Sequence, residues 1–374
     1  MRDVYIMGGL RTPIGLFQGQ FKKIRPEYLG ASLLCELQEK YALSSVDEII
    51  CGNAVGTGGN IGRLMALYAG LPASVPTVTV DMQCASAGAS IAFGMAKIAC
   101  GMADCIIAGG IESSSLQPMK RYAELDDRQG EYMVAHFSPQ ERDEKAMLLG
   151  AERTMAKHGM TLEEINPWIL RSHQRAHEAE QKGLLQPILA KLNDLGEGFC
   201  DESIRPKMSE RLLLRMPPLL GDGTLTTAGN ACLTHDGAAF VVLTSIPSEF
   251  RLVHAVSWAG EPLYSPEGAL GATEKLLKET KLTMADIDAV EWNEAFAAID
   301  VLFERNYGSY VDRYNRFGGA LAYGHPYGAS GAIILLHLME SLKACSGRYG
   351  IAAVAGAGGT GTAMLIERMV SRHE

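Results

Sequence analysis

The chain has 374 residues, of which 47% are hydrophobic and 21% are charged, a composition typical of a globular protein. Its formal net charge of −9 and the lack of a basic stripe argue against nucleic-acid binding. No apolar run reaches the roughly 18 residues that a membrane span needs. The eight cysteines are scattered without a C-x-x-C pair, so we expect a cytoplasmic protein without a metal site.

The first 113 residues alternate between strand and helix patterns. Short apolar and β-branched runs predict strands, and the segments with helical spacing between them predict helices. In chain order these are a strand at 3–9, a helix at 28–41, a strand at 46–53, a helix at 60–70, a strand at 77–83, a helix at 85–101 and a strand at 103–113. This alternation predicts parallel βαβ units, and therefore a layered α/β domain.

A similar order returns after about residue 250. The predicted elements are a strand at 251–260, helices at 268–280, 297–308 and 328–344, a strand at 287–294, and two strands joined by a glycine turn within 349–369. Segments 46–53 and 287–294 are similar in sequence and position, so we predict two duplicated halves, 1–250 and 251–374. The charged stretch at about 116–230 interrupts the first half and is predicted to form an inserted lobe that covers the substrate.

The glycine turn contains Gly356, Gly358 and Gly361 in the spacing G-x-G-x-x-G, which is also found in dinucleotide-binding loops. Such a loop must follow a strand and open a helix, with an acidic residue about 20 positions later. Only 13 residues follow Gly361, and the first of them alternate like a strand. The context therefore argues against nucleotide binding and leaves the turn to serve other chemistry.

Three residues shortly before predicted helices are candidates for catalysis. Cys84 precedes a helix whose positive end is expected to lower the pKa of the thiol, although a buried structural cysteine is the alternative. His325 lies in a glycine-rich loop at the equivalent junction of the second half, so the duplication predicts that the two tips meet. Asn293 ends a strand, where its amide either stabilises developing negative charge or caps the next helix.

Several segments resemble, in order and spacing, the motifs of the thiolase family. They lie at 8–21, 69–91, 108–115, 223–239, 290–298 and 315–332, and the terminal glycine turn completes the series. The resemblance implies the duplicated five-layer αβαβα thiolase fold with an inserted loop domain. It also implies acyl-CoA and CoA as substrates without a further cofactor, and a homodimer or homotetramer.

The resemblance also implies a role for each candidate residue. Cys84 matches the nucleophile that accepts an acyl group as a thioester, and His325 matches the histidine that assists it and polarises the thioester oxygen. Asn293 matches the asparagine whose bound water completes this oxyanion hole, and the backbone N–H groups of Cys84 and Ala357 match a second one. Positions that contact substrate or CoA in the family are occupied by Met147, Arg205, Cys232 and Phe296.

Departures from the family pattern surround this site. Ala355 replaces the cysteine that takes a proton from the attacking acetyl-CoA or returns it to the leaving one, and alanine cannot move a proton. Cys232 and Leu233 replace a Ser-Gly pair, and Tyr327 adds a bulky ring beside the predicted histidine. An acyl-thioester on Cys84 is therefore expected, while the Claisen or thiolysis step is in doubt. Decarboxylative condensation as in the related ketosynthases, thioester hydrolysis, and non-catalytic acyl-CoA binding are the alternatives.

Overall fold

The computed structural model describes residues 2–141, 143–232 and 234–369, so Leu233 and the last five residues lie outside the described part. The strands are β1 (Tyr5–Arg11), β2 (Gly15–Leu16), β3 (Glu48–Gly52), β4 (Thr77–Val80), β5 (Cys105–Ser113), β6 (Lys120–Arg121), β7 (Glu131–Tyr132), β8 (His235–Thr244), β9 (Phe250–Ala259), β10 (Ala289–Trp292), β11 (Tyr349–Gly356) and β12 (Thr360–Arg368). The helices are α1 (Pro26–Lys40), α2 (Ile61–Tyr68), α3 (Ser86–Ala99), α4 (Ala146–Lys157), α5 (Leu162–Gln181), α6 (Glu210–Leu213), α7 (Gly268–Thr280), α8 (Ala297–Tyr307), α9 (Ala320–Tyr323) and α10 (Ser330–Ala344).

These bounds confirm each strand and helix that the sequence patterns predict, within a few residues at the ends. The patterns miss β8, whose run of small and apolar residues is buried on both faces and so does not alternate. The glycine turn at 357–359 joins two strands and opens no helix, which agrees with the argument against a dinucleotide loop.

The strands form a sheet in the order β10-β11-β12-β9-β1-β8-β5-β3-β4. β3 pairs in parallel with β4 and β5, and β10 pairs in parallel with β11. The prediction of parallel βαβ units is right for these strands and wrong for β1 and β9, which run antiparallel to their neighbours, as do β8 and β12. For β12 the reason is the short turn that follows β11, because so few residues can join only antiparallel strands.

Five layers result from how the helices cover the two halves of this sheet. α3 and α10 lie between the halves, α1 and α2 cover the first half, and α7 covers the second, with α8 packed beside it. The halves are joined at one edge, where Tyr5 and Ile6 of β1 pair with Arg251 and Phe250 of β9. The predicted αβαβα architecture is therefore confirmed.

The two central helices approach each other at paired glycines. A Cβ on Gly331 of α10 would lie 2.6 Å from the backbone nitrogen of Gly88 in α3, a distance that real side chains do not adopt. The small residues of α3 thus allow two helices to share one layer. Because Cys84 lies just before α3 and His325 lies shortly before α10, this crossing places both junctions at the centre of the molecule.

The inserted segment packs back onto the second half of the chain. α5 contacts α8 and α9, and α4 contacts the turn at Pro262–Glu267. β6 and β7 form a separate two-stranded sheet within the same segment. Residues of the insert therefore lie where they can cover a site formed between the halves.

Candidate active site

One cavity of about 230 Å³ brings the predicted residues from both halves together. Cys84 and Ala357 line it from the two halves, and His325 lines it as well. The insert contributes to its wall through residues between 117 and 148, among them Met147. The other side chains around it are mostly apolar, and besides His325 the polar exceptions are Gln83, Gln117, Lys120, Glu144, Lys145, Thr234 and Tyr327.

Cys84 lies in a tight turn between β4 and α3. Gln83, immediately before it, has a φ of 53°, the left-handed conformation that is uncommon for a residue with a side chain. Ser86 holds the turn, because its hydroxyl accepts from the Met82 backbone N–H at 2.9 Å and donates to the Gln83 carbonyl at 2.6 Å. The turn presents Cys84 to the cavity while leaving only 6% of the residue exposed.

The thiol of Cys84 is protonated in this structure. Burial raises its pKa to about 12, and hydrogen bonding from the backbone N–H of Ala357 only partly opposes that rise. The expectation that the helix dipole lowers the pKa is therefore wrong, because loss of hydration outweighs the dipole at a buried sulfur. For this thiol to act as a nucleophile, a neighbouring base would have to take its proton.

His325 has the protonation state that such a base needs. Its Nδ1 lies 2.6 Å from the hydroxyl of Ser330, and that hydroxyl donates to the Pro326 carbonyl at 2.9 Å. The single hydroxyl proton of Ser330 is donated to the Pro326 carbonyl, so Ser330 can only accept from Nδ1 of His325. Nδ1 therefore carries the proton of the neutral ring, and Nε2 is free to accept one. Burial, and then nearby His235, lower the pKa of His325 to about 3, so the ring is neutral.

Asn293 contacts the imidazole. Its amide nitrogen lies 3.3 Å from both ring nitrogens of His325, and the residue is 1% exposed. The alternative role as a helix cap is wrong, because α8 begins at Ala297 and Phe296 occupies the N-cap position. The amide is thus placed beside the group that would polarise a thioester, as the oxyanion-hole prediction requires.

The four predicted contacts to substrate or CoA divide into two groups. Met147 and Phe296 line the cavity. Arg205 is exposed outside the cavity lining, and its guanidinium donates to the Glu202 carbonyl at 2.6 Å. Cys232 is buried, and its thiol lies 2.7 Å from the Ala320 carbonyl oxygen. CoA contacts at Arg205 and Cys232 stay predictions.

Ala355 contributes no chemical group to the cavity. It is 4% exposed and belongs to the apolar cluster that includes Ala269 and Ala272 of α7. Ala355 pairs with Gly361 across β11 and β12. It lies two residues before Ala357, whose backbone N–H donates to Cys84. At the position where the resemblance implies an acid–base cysteine, this chain therefore has a small apolar side chain that only packs against its neighbours.

Sequence reasoning missed the structural importance of Glu112. Its carboxylate accepts from the backbone N–H groups of Ala54 (2.9 Å), Val55 (3.2 Å) and Gly328 (3.0 Å), and from the Asn53 amide (2.9 Å). Burial raises the pKa of Glu112 to about 7. The available signal was an acidic residue near the end of a strand that is otherwise almost entirely apolar, β5, where an unpaired buried carboxylate would be costly. Through Gly328 it fixes the loop that carries His325.

Two features are absent from the described residues. No helix among them is long and apolar enough to cross a bilayer. In the same part of the chain, no group of three or more His, Cys, Asp and Glu side chains is arranged to hold a metal ion.

Comparison with known proteins gives matches over nearly the whole chain. A model of the thiolase N-terminal domain matches residues 4–246, and one of the thiolase C-terminal domain matches residues 250–368. "Putative acetyl-CoA C-acetyltransferase VraB" of Staphylococcus haemolyticus is 32% identical, covering 98% of this chain and 99% of the relative. The protein of the same description from a Staphylococcus aureus strain is 33% identical, covering 98% and 100%. The crystal structure of a Bacillus anthracis acetyl-CoA acetyltransferase superposes with a TM-score of 0.90 and 27% identity over 99% of both chains.

Proposed function

We propose that this chain, which belongs to the thiolase family, is an acyl-CoA acyltransferase that carries its acyl group as a thioester on Cys84. The observation that carries the proposal is the shared cavity, where a thiol, a neutral imidazole and a backbone N–H donor meet. Acyl-CoA and CoA are its substrates, and the chemistry of the first step needs no resident cofactor.

In the first half-reaction Nε2 of His325 takes the Cys84 proton as the sulfur attacks the thioester carbonyl carbon of acyl-CoA. The carbonyl oxygen becomes an oxyanion, which the backbone N–H groups of Ala357 and Cys84 are proposed to stabilise. The carbon–sulfur bond to CoA then breaks and leaves the acyl group on Cys84. Burial of both partners supports this order, because it keeps the thiol and the imidazole neutral until substrate arrives.

The second half-reaction, Claisen condensation or its reverse, needs a group that removes or returns a proton on the carbon beside a thioester. Ala355 supplies none, and loss of a positioned acid or base typically costs about 10²- to 10⁴-fold in rate. We therefore propose that acylation is efficient and that condensation or thiolysis depends on another residue of the cavity.

Decarboxylative condensation is the second candidate, and the observation that favours it is again Ala355. Loss of carbon dioxide from a malonyl thioester generates the carbanion without removal of a proton. Cys84, His325 and Asn293 would then suffice for the whole reaction. Hydrolysis of the acyl-enzyme would also use Cys84 and His325, whereas acyl-CoA binding without catalysis would leave the ordered imidazole without a role.

The test follows acyl groups on the protein and in the products. The chain is incubated with acetyl-CoA, with malonyl-CoA and with both, the adduct is located by peptide mass spectrometry, and acetoacetyl-CoA is quantified. An acetyl adduct on Cys84 is expected, and Cys84→Ala should abolish it. Cys51→Ala is the matched control, because Cys51 is also a buried cysteine, lies outside the cavity lining and has no assigned role.

The products separate the candidates. Acetoacetyl-CoA from acetyl-CoA alone supports the thiolase reaction, whereas formation only when malonyl-CoA is present supports decarboxylation. Ala355→Cys should increase thiolysis of acetoacetyl-CoA if the rest of the site is competent. Binding of CoA without any adduct would contradict the proposed acyltransferase.

A homodimer is part of the proposal, with a homotetramer as its dimer of dimers. β4 is the last strand of the sheet, and it contacts both α2 and α3. Around this edge the exposed apolar side chains are Leu64, Leu67, Tyr68, Val78 and Phe93. An open strand edge beside exposed apolar groups favours pairing with a second copy. Light scattering should give a multiple of the 40.3 kDa chain mass, and a monomer would contradict this proposal.

A further inference from the structure

Tyr327 is a polar residue of the cavity to which neither the sequence analysis nor the comparisons assign a role. It lines the cavity with Cys84 and His325, and its side chain is half-buried. Its ring lies 5.0 Å from the His325 ring, centroid to centroid, at an interplanar angle of 84°. A phenol thus stands beside the predicted nucleophile and base in a site where Ala355 offers no proton.

The hydroxyl of Tyr327 is held in place by a strained backbone. The N–H of Thr234 donates to it at 3.2 Å, and Thr234 lines the same cavity. Thr234 has a φ of 59°, which is a rare and strained conformation for a β-branched residue. Strain of this kind persists where the surrounding structure enforces it, and here it directs a backbone donor at the phenol.

The phenolic proton itself is available to a ligand. Thr234 occupies one acceptor site of the oxygen, and within the described residues no hydrogen bond consumes the proton that Tyr327 donates. Burial, and then the charge of an ionised Cys84, raise the pKa of Tyr327, so the phenol is protonated in the resting protein. The Thr234 N–H works in the opposite direction, because it favours the phenolate.

We propose that Tyr327 is the acid–base residue of the second half-reaction and takes the place of the missing cysteine at position 355. This inference rests on the acyl-enzyme proposed above. It assigns to the phenol the proton that leaves or joins the carbon beside the thioester.

The protons balance through a full condensation. During acylation the Cys84 proton moves to His325, and the Tyr327 proton moves to the sulfur of the departing CoA. The phenolate then takes a proton from the methyl carbon of a second acetyl-CoA. The resulting carbanion forms a carbon–carbon bond with the acyl carbon, the bond from that carbon to the Cys84 sulfur breaks, and His325 returns its proton to the sulfur. Cleavage is the same sequence in reverse.

The intermediate charge state is compatible with the surroundings of the phenol. After acylation the site holds a phenolate and an imidazolium whose rings are 5.0 Å apart, so the pair is neutral overall. The Thr234 N–H donates to the negative oxygen, and a charge-assisted hydrogen bond is stronger than a neutral one. A buried phenolate also loses hydration, which increases its strength as a base toward carbon.

The test measures carbon-bound proton exchange separately from acylation. The chain is acetylated and incubated with acetyl-CoA in deuterated water, and deuterium entering the acetyl methyl group is followed by mass spectrometry. Tyr327→Phe keeps the ring against His325 and removes only the hydroxyl. It should lower the exchange rate at least 100-fold, in line with the loss of a positioned base. Acetylation of Cys84 should fall less than about tenfold, because a thiol of pKa about 8.5 can leave unprotonated.

Tyr323→Phe is the matched control. Tyr323 lies two residues before His325, and its hydroxyl donates to the Phe317 carbonyl at 2.9 Å. Tyr323 is absent from the cavity lining, so the rate at which Tyr323→Phe exchanges the acetyl methyl protons should stay within threefold of the rate of the unmodified chain. This comparison separates a proton-transfer role from a general effect of removing a tyrosine hydroxyl near the loop.

The outcomes distinguish this inference from the proposed function. Exchange in Tyr327→Phe within threefold of the unmodified chain would overturn the role of Tyr327. Acetylation without any exchange in the unmodified chain would also overturn it, while leaving the acyl-enzyme in place. Failure of the unmodified chain to acetylate at Cys84 would contradict the acyltransferase proposal on which the inference rests.

Discussion

Replacing Ser330 with alanine is expected to slow acylation by changing which nitrogen of His325 carries the proton. The Ser330 hydroxyl accepts from Nδ1 at 2.6 Å and donates its own hydrogen bond to the Pro326 carbonyl at 2.9 Å. His325 is 0% exposed, so no water replaces the lost acceptor unless the structure opens. In Ser330→Ala the ring either keeps an unpaired N–H or moves the proton to Nε2, where it blocks the uptake of the Cys84 proton.

The size of this effect follows from the cost of an unpaired buried donor. That cost is about 1–3 kcal/mol. Because about 1.4 kcal/mol corresponds to a tenfold change in rate, the active tautomer should be depleted roughly 5- to 150-fold. The initial rate of Cys84 acetylation should fall by a similar factor.

The assay is rapid quenching of the chain with acetyl-CoA at neutral pH, followed by measurement of the acetylated Cys84 peptide. Ser90→Ala is the control, since Ser90 is a buried serine of α3 that donates to the Ile50 carbonyl at 2.5 Å and accepts from the Gly109 N–H at 3.0 Å. This variant should lose stability but keep its acylation rate. Equal acylation rates in Ser330→Ala and the unmodified chain would refute the assigned tautomer.

Two further predictions concern how the fold holds the site. In Glu112→Gln, either orientation of the new amide places its NH₂ group against two hydrogen-bond donors. The free energy of unfolding should therefore fall by about 2–4 kcal/mol in denaturant titrations, and an unchanged midpoint and slope would contradict the described network. In Gly331→Ala, the new Cβ would lie 2.6 Å from the Gly88 backbone nitrogen and push the two helices apart. The free energy of unfolding should fall by about 1–3 kcal/mol and Cys84 acetylation should slow, whereas a variant as stable and active as the unmodified chain would show that the helices pack less tightly than described.

The layered fold, and the placing of Cys84 and His325 in one cavity, could be predicted from the sequence. Both residues lie shortly before helices of the duplicated halves, α3 and α10, and these two helices approach each other at the centre of the molecule. The sequence did not predict β8, because strands buried on both faces do not show the alternation that marks a half-exposed strand.

Properties that depend on hydration and backbone direction were beyond the sequence pattern. The Cys84 pKa depends on burial by residues from both halves, so its position before a helix gave the wrong direction. Similarly, the hydrogen bond between Thr234 and Tyr327 joins positions 93 residues apart and depends on an uncommon φ at Thr234. Neither Arg205 nor Cys232 lines the cavity, since motif position alone does not specify which way a loop presents its side chains.

The central claim, an acyl-enzyme on Cys84, is tested most directly by the release of CoA in a single turnover. The chain is mixed with a small excess of acetyl-CoA, free CoA is quantified over time, and the acetyl group is located by peptide mapping. A burst of one CoA per chain, with acetyl on Cys84 and no burst in Cys84→Ala, is the predicted result. Absence of a burst, or an acetyl group found on another residue while Cys84 stays free, would contradict the account.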